Sequence, residues 1–124
     1  MFDKLKENLK NSYSPYSNFP VSAIVVTKDG KEFTGVNIEN ASYGATVCAE
    51  RTAIFKTISE GYRKGDIKEL WLMVGSGEIG MPCFMCRQVI SEFMDKDADI
   101  ICMSTKGDKE IYKVSDLCPY PFEL

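Results

Sequence analysis

The chain has 124 residues, 44% hydrophobic and 27% charged, with 18 acidic against 15 basic side chains for a net charge of −3. That size predicts one domain, 1–124, with a core that needs no staples. Scattered Lys and Arg form no basic stripe, which excludes a nucleic-acid surface, and no apolar run reaches the ~18 residues of a membrane span.

A small-molecule partner fits this balance better. The start, Met1-Phe2-Asp3-Lys4-Leu5-Lys6, alternates charge and has no signal-peptide core, so a cytoplasmic location is expected. Five cysteines and no histidine are present. An odd count in a reducing compartment points to metal-binding or catalytic thiols, and any zinc site must be built from Cys, Asp or Glu.

Phe2, Leu5 and Leu9 recur at helical spacing, so residues 2–11 read as a short amphipathic helix. The segment from Tyr13 to Pro20 is turn-rich, and its two prolines exclude regular helix. Ser22–Thr27 is an apolar strand, Lys28-Asp29-Gly30 a hairpin turn, and Glu32–Asn37 the return strand. From about Val47 to Gly61 the pattern is helical, with Ala49, Ala53, Ile54 and Ile58 on one stripe. Thr46 is the expected N-cap and Gly61 the expected C-cap.

Lys68–Val74 is a continuous strand. Pro82 is expected to open a second helix at the position that tolerates proline best, with Cys86, Val89, Ile90, Phe93 and Met94 as its apolar stripe. Asp99–Ser104 and Glu110–Val114 are strands joined by a turn at Lys106-Gly107-Asp108, and the tail from Cys118 is irregular. The order predicts an α/β fold: a three-layer α/β/α sandwich on a five-stranded mixed sheet.

Two stretches carry the chemistry. Cys48-Ala49-Glu50-Arg51 lies at one helix start, and Pro82-Cys83-Phe84-Met85-Cys86-Arg87-Gln88 at the other. Cys86 falls one turn beyond Cys83 on the same face. Helix N-termini favour thiolates, and three thiolates plus one water complete a tetrahedral zinc with an open position. Glu50 need not bind the metal and is placed to act as general base and then general acid. Arg51, one turn on from Cys48, and Arg87, adjacent to Cys86, are candidates to support the sulfurs. A Cys-x-Glu followed by Pro-Cys-x-x-Cys is the signature of zinc-dependent nucleobase deaminases.

At these residues the chain resembles the homotetrameric, three-cysteine class of cytidine deaminase over nearly its full length. Cys-Ala-Glu-Arg-Thr-Ala-Ile and Pro-Cys-x-x-Cys-Arg-Gln-Val carry the resemblance, with Tyr-Ser-x-Phe-Pro-Val and Asn-Ile-Glu-Asn-Ala in matching order. It implies hydrolytic deamination of cytidine and 2′-deoxycytidine in pyrimidine salvage, one zinc per subunit, and a homotetramer with active sites shared between subunits. It further implies that Asn37 and Glu39 hold the ribose hydroxyls, that Phe19 faces the base, and that Ala49 contacts substrate. Ala41 and Tyr43 would reach a neighbouring subunit's site, and Phe122 would stack on a base across the interface.

The chain departs from the family in two places. Phe84-Met85 replaces small residues such as Gly-Ala between the two cysteines, and bulk beside the metal is expected to narrow the pocket or shift a packing neighbour. Ser22 stands where Gly is common. Three other readings use the same residues. Cys-x-x-Cys alone fits a redox pair, which leaves the upstream Cys-x-Glu unexplained. A non-catalytic zinc module would recruit Cys102 or Cys118 as a fourth ligand. Gly75-Ser76-Gly77-Glu78-Ile79-Gly80 matches a dinucleotide fingerprint, but Met81-Pro82 intervenes before the helix. A deaminase acting on another cytosine nucleoside such as blasticidin S is the nearest enzymatic alternative.

Overall fold

The structure is a computed structural model describing all 124 residues. Helix α1 spans Phe2–Asn8 and tightens into a 3-10 turn at Leu9–Asn11. Strands β1 (Val21–Thr27) and β2 (Glu32–Val36) form a hairpin, and α2 (Ala49–Ser59) follows. Then come β3 (Ile67–Val74), α3 (Phe84–Phe93), β4 (Asp99–Met103), β5 (Lys109–Lys113) and a single-turn α4 (Val114–Leu117).

The five strands lie in the order β2-β1-β3-β4-β5. Only β3 and β4 run parallel, joined by the crossover through α3, and the other neighbours are antiparallel. The three central strands are apolar on both faces, as strands covered on two sides must be. Ala23, Val25, Leu70, Leu72, Ile100 and Cys102 pack beneath α2 and α3. Their alternate neighbours Ile24, Met73, Ile101 and Met103 pack against Leu5 of α1. The result is the expected α/β/α sandwich on a mixed sheet.

Two close contacts fix where the helices lie on the hairpin. A Cβ at Gly35 of β2 would come 2.5 Å from the Ala49 carbonyl oxygen, so only glycine lets the helix start rest on the hairpin. Ser22, the second departure, is fully buried, and its Oγ accepts from Asn8 Nδ2 at 3.0 Å, the same amide also reaching the Gly35 carbonyl. Its hydroxyl therefore ties α1 to the hairpin, away from the thiol cluster.

Two predicted helix starts shift, and one helix was not predicted. The N-cap of α2 is Cys48 in place of Thr46, because backbone bonds between Ile38 and Val47 keep residues 46–47 extended. Likewise α3 is capped by Cys83, whose extended backbone leaves Pro82 outside the helix. The missed α4 is held by the Asp116 carboxylate, which accepts from the Lys113 N–H at 2.8 Å. The C-cap of α2 is Glu60, one residue before the expected Gly61, which follows it at φ +100.

Candidate active site

The two N-caps are the two cysteines of the motif. Beyond β2 the chain is stitched by Tyr13 N–H to Asn37 carbonyl (3.1 Å), Glu39 N–H to Tyr13 carbonyl (2.8 Å) and the reciprocal Ile38–Val47 pair (2.9 and 3.0 Å). This closes the 38–47 loop and delivers Cys48 to the start of α2. On the other side, a Cβ at Gly80 would come 2.5 Å from Val74 Cγ1, so glycine lets the loop fold back on the end of β3 and deliver Cys83.

The sulfurs of Cys48 and Cys83 lie 3.8 Å apart, and those of Cys48, Cys83 and Cys86 all fall within 4.8 Å of one another. Zinc–thiolate bonds of about 2.3 Å in a tetrahedron place sulfurs about 3.8 Å apart, so the donor set and its spacing suit zinc. Cys86 is fully buried, and its N–H donates to Cys83 Sγ at 3.5 Å. Hydrogen bonding from the Cys86 thiol and from Arg51 holds Cys48 down at about 5, while Cys86, donating to that sulfur and buried, is pushed up. The cluster thus favours the thiolate at Cys48 over that at Cys86.

No fourth cysteine joins it. Cys102 is buried in β4, where burial pushes its thiol up to about 12, and the Cys118 thiol donates to the Arg87 carbonyl at 3.3 Å. The cluster has the three-ligand form that leaves a position open.

Glu50, in the first turn of α2, is only 4% exposed, and burial pushes its carboxyl up to about 7. A carboxyl poised near neutrality is suited to take and return a proton. Arg51 Nη2 donates to Cys48 Sγ at 3.5 Å, as its spacing suggests. Arg87 does not support the sulfurs. Its Nε donates to the Pro82 carbonyl (2.8 Å), its Nη1 to the Leu117 carbonyl (3.3 Å), and its guanidinium stacks 4.3 Å from the Phe84 ring centre. Successive residues on a helix face different ways, so adjacency to Cys86 carries Arg87 off the cluster.

A cavity of about 330 Å³ opens above Cys48, Cys83 and Glu50. Buried Ala49, Leu72 and Val74 form its floor, and Phe19 and Met81, 45% and 42% exposed, stand at its mouth. Asn37, Glu39, Ser17 and Thr46 make its remaining wall polar. Asn37 is buried, donates to the Phe19 carbonyl (2.8 Å) and accepts from the Val21 N–H (2.9 Å), which shapes that wall. Glu39 accepts from the Tyr16 and Ser17 N–H groups (2.9 and 3.1 Å) and from the Ser17 hydroxyl, which holds its carboxyl below the usual range. No Lys or Arg lines the cavity.

Ala41, Tyr43 and Phe122 lie outside this cavity, all exposed. The Phe122 backbone is clamped by one side chain: Gln88 Nε2 donates to its carbonyl (3.0 Å) and Gln88 Oε1 accepts from its N–H (3.3 Å). The bulky pair Phe84 and Met85 is 79% and 64% exposed and does not line the cavity, so it does not narrow the pocket. The lining residues that sequence reasoning did not assign to the site are Ser17, Val21, Thr46, Leu72, Val74 and Met81. Ser17 sat unassigned within the Tyr-Ser-x-Phe-Pro segment, and Met81 was visible only as the residue before Pro82.

The family described as cytidine and deoxycytidylate deaminase zinc-binding region matches residues 1–103. A cytidine deaminase of Halalkalibacterium halodurans is 42% identical over 113 residues, 91% of this chain and 84% of that protein. The crystal structure of a cytidine deaminase from Burkholderia pseudomallei superposes with a TM-score of 0.93 at 39% identity, covering 98% of this chain and 95% of the other. One from Mycobacterium tuberculosis gives a TM-score of 0.83 at 33% identity, covering 100% and 95%.

Proposed function

The chain belongs to the cytidine and deoxycytidylate deaminase zinc-binding family, and on that premise we propose that it hydrolyses cytidine and 2′-deoxycytidine to uridine and 2′-deoxyuridine. The observation that carries this reading is a buried carboxyl, Glu50, beside a three-thiol cluster at the bottom of a nucleoside-sized cavity. Cys48, Cys83 and Cys86 would hold the zinc, which would supply Lewis-acid activation of a water.

Glu50 accepts a proton from the attacking water as its oxygen adds to C4 of the cytosine ring. It passes that proton to N3, then takes a second from the oxygen now on C4. This second proton goes to the departing amine as the C4=O bond forms, the C4–N bond breaks and ammonia leaves. Its burial keeps bulk water from competing for these protons and keeps its affinity for them near neutrality. Arg51 offsets the negative charge of the sulfurs.

At the sugar end, Glu39 is held ionised by Ser17 and there is no cation nearby. That wall suits neutral hydroxyls and repels a 5′-phosphate, which favours nucleosides over nucleotides. Asn37 and Glu39 are assigned to the ribose, and Phe19 and Ala49 to the base. The exposed Tyr43, Ala41 and Phe122 support a homotetramer in which neighbouring chains complete each cavity. The setting we propose for this reaction is pyrimidine salvage in the cytoplasm.

The test is loss of cytidine absorbance on mixing it with zinc-analysed protein, beside a Glu50→Gln control. Loss with the wild type alone, with zinc retained in both, supports the reaction and the role of Glu50. Full activity in the variant would overturn that role, and faster turnover of blasticidin S than of cytidine would move the substrate assignment.

A further inference from the structure

We propose that Met81 sets the room available at C5 of the pyrimidine, and so decides which 5-substituted cytosine nucleosides the site accepts. The proposal rests on the deaminase reading above and adds a residue that the motifs do not include.

Chemistry orients the base. The bond that breaks is at C4, so C4 sits at the thiol cluster. Glu50 delivers a proton to N3, so the N3 edge turns toward α2, which packs over β1 and β2. The other ring neighbour of C4 is C5, and it therefore turns away from α2. What stands on that side is the end of β3 and the loop leaving it, with Val74, Met81 and Cys83 on the cavity wall.

Within that wall the side chains differ in freedom. Val74 is buried within the sheet and pressed by Gly80, and Cys83 is a metal ligand. The backbone of Met81 is pinned on both sides, by Gly80 lying against Val74 and by Pro82 with its fixed φ leading into the Cys83 cap. Its side chain is 42% exposed and unbranched. Position 81 is thus fixed in place while its thioether remains free to adapt, as methionine does at irregular walls. Phe19, the other half-exposed wall, comes from the β1 approach and is assigned to the face of the base. Phe84 and Met85, the bulk between the ligand cysteines, point away and leave this edge to Met81.

The experiment compares kcat/KM for cytidine with 5-methyl-, 5-bromo- and 5-propynylcytidine in wild type, Met81→Ala and Met81→Phe, each with its zinc content measured. Met81→Ala should raise the ratio of 5-substituted to plain cytidine about 10-fold or more, increasing with substituent size, and Met81→Phe should lower it. The same order is expected in dissociation constants of these compounds for Glu50→Gln protein carrying each change, a readout free of turnover. Met85→Ala, four residues on in the first turn of α3 and exposed, should leave the ratios alone. Ratios unchanged in both Met81 variants, or shifted equally by Met85→Ala, overturn the assignment. Failure of the wild type to deaminate any of the compounds overturns the deaminase reading itself, and this assignment with it.

Discussion

Arg51 and Cys48 sit one turn apart at the start of α2, and the arginine's Nη2 donates to the cysteine sulfur at 3.5 Å while its buried Nε has no protein partner. The guanidinium is therefore committed to the cluster, and it favours the Cys48 thiolate. Arg51→Ala should weaken zinc binding about 10- to 100-fold, as loss of a group supporting a metal ligand typically does. Chelator competition measures this, and zinc retention equal to the wild type would remove the role.

Glu50 predicts a pH-dependent stability of the metal-free protein. Its folded carboxyl titrates at about 7, above the ordinary 4.5. Between those values the unfolded chain holds fewer protons than the folded one, so stability falls as pH rises through the window. Above it the full penalty is about 3 kcal/mol. Metal-free Glu50→Gln should therefore be more stable than metal-free wild type by about that amount at pH 8, with the gap closing toward pH 4.5. Urea unfolding in the presence of chelator at the two pH values decides it. No gap at pH 8 would mean the carboxylate is solvated in the folded state.

Gly35→Ala should damage the site from a distance. The added methyl meets the backbone of Ala49 and Ala53, which cannot yield as a side-chain tip would. Overpacking of this kind costs about 1–3 kcal/mol or more. Because the displaced segment carries Cys48 and Glu50, thermal stability and zinc content should fall together. Lower stability with normal zinc affinity would show that α2 relaxes without moving its cap.

Gln88 and Arg87 hold the tail, through Phe122 and Leu117. Gln88→Ala should speed hydrogen exchange at the Phe122 amide several-fold while zinc stays bound. Arg87→Ala should loosen the same segment, again with zinc retained, in contrast to Arg51→Ala. Loss of zinc from Arg87→Ala would return that arginine to the cluster.

The closeness of Cys83 to Cys86 and of Cys48 to Arg51 was legible in the sequence because each pair lies one helical turn apart. The meeting of the two helix starts was legible only from the motif. The strands were legible because their apolar runs end at turn residues. What was hidden has physical reasons. Cys48 and Cys83 displaced the expected caps because chain pairing before each cysteine, and not cap preference, sets where the helix begins. Arg87 reads as a partner of Cys86 only if adjacency is mistaken for a common face. The short α4 has too few residues for any periodicity, and Met81 lies in a loop where only the fold shows which wall it joins.

The three sulfurs are divided unevenly along the chain, one before β3 and two after it. During synthesis, the hairpin, α2 and β3 are all made while Cys48 is the sole ligand available. The remaining two arrive together on the crossover that leads into β4, the strand whose parallel pairing with β3 holds that crossover in place. Metal capture is therefore a late event in the life of the nascent chain. Until then Cys48, at the start of α2, stands without the two cysteines that complete its site.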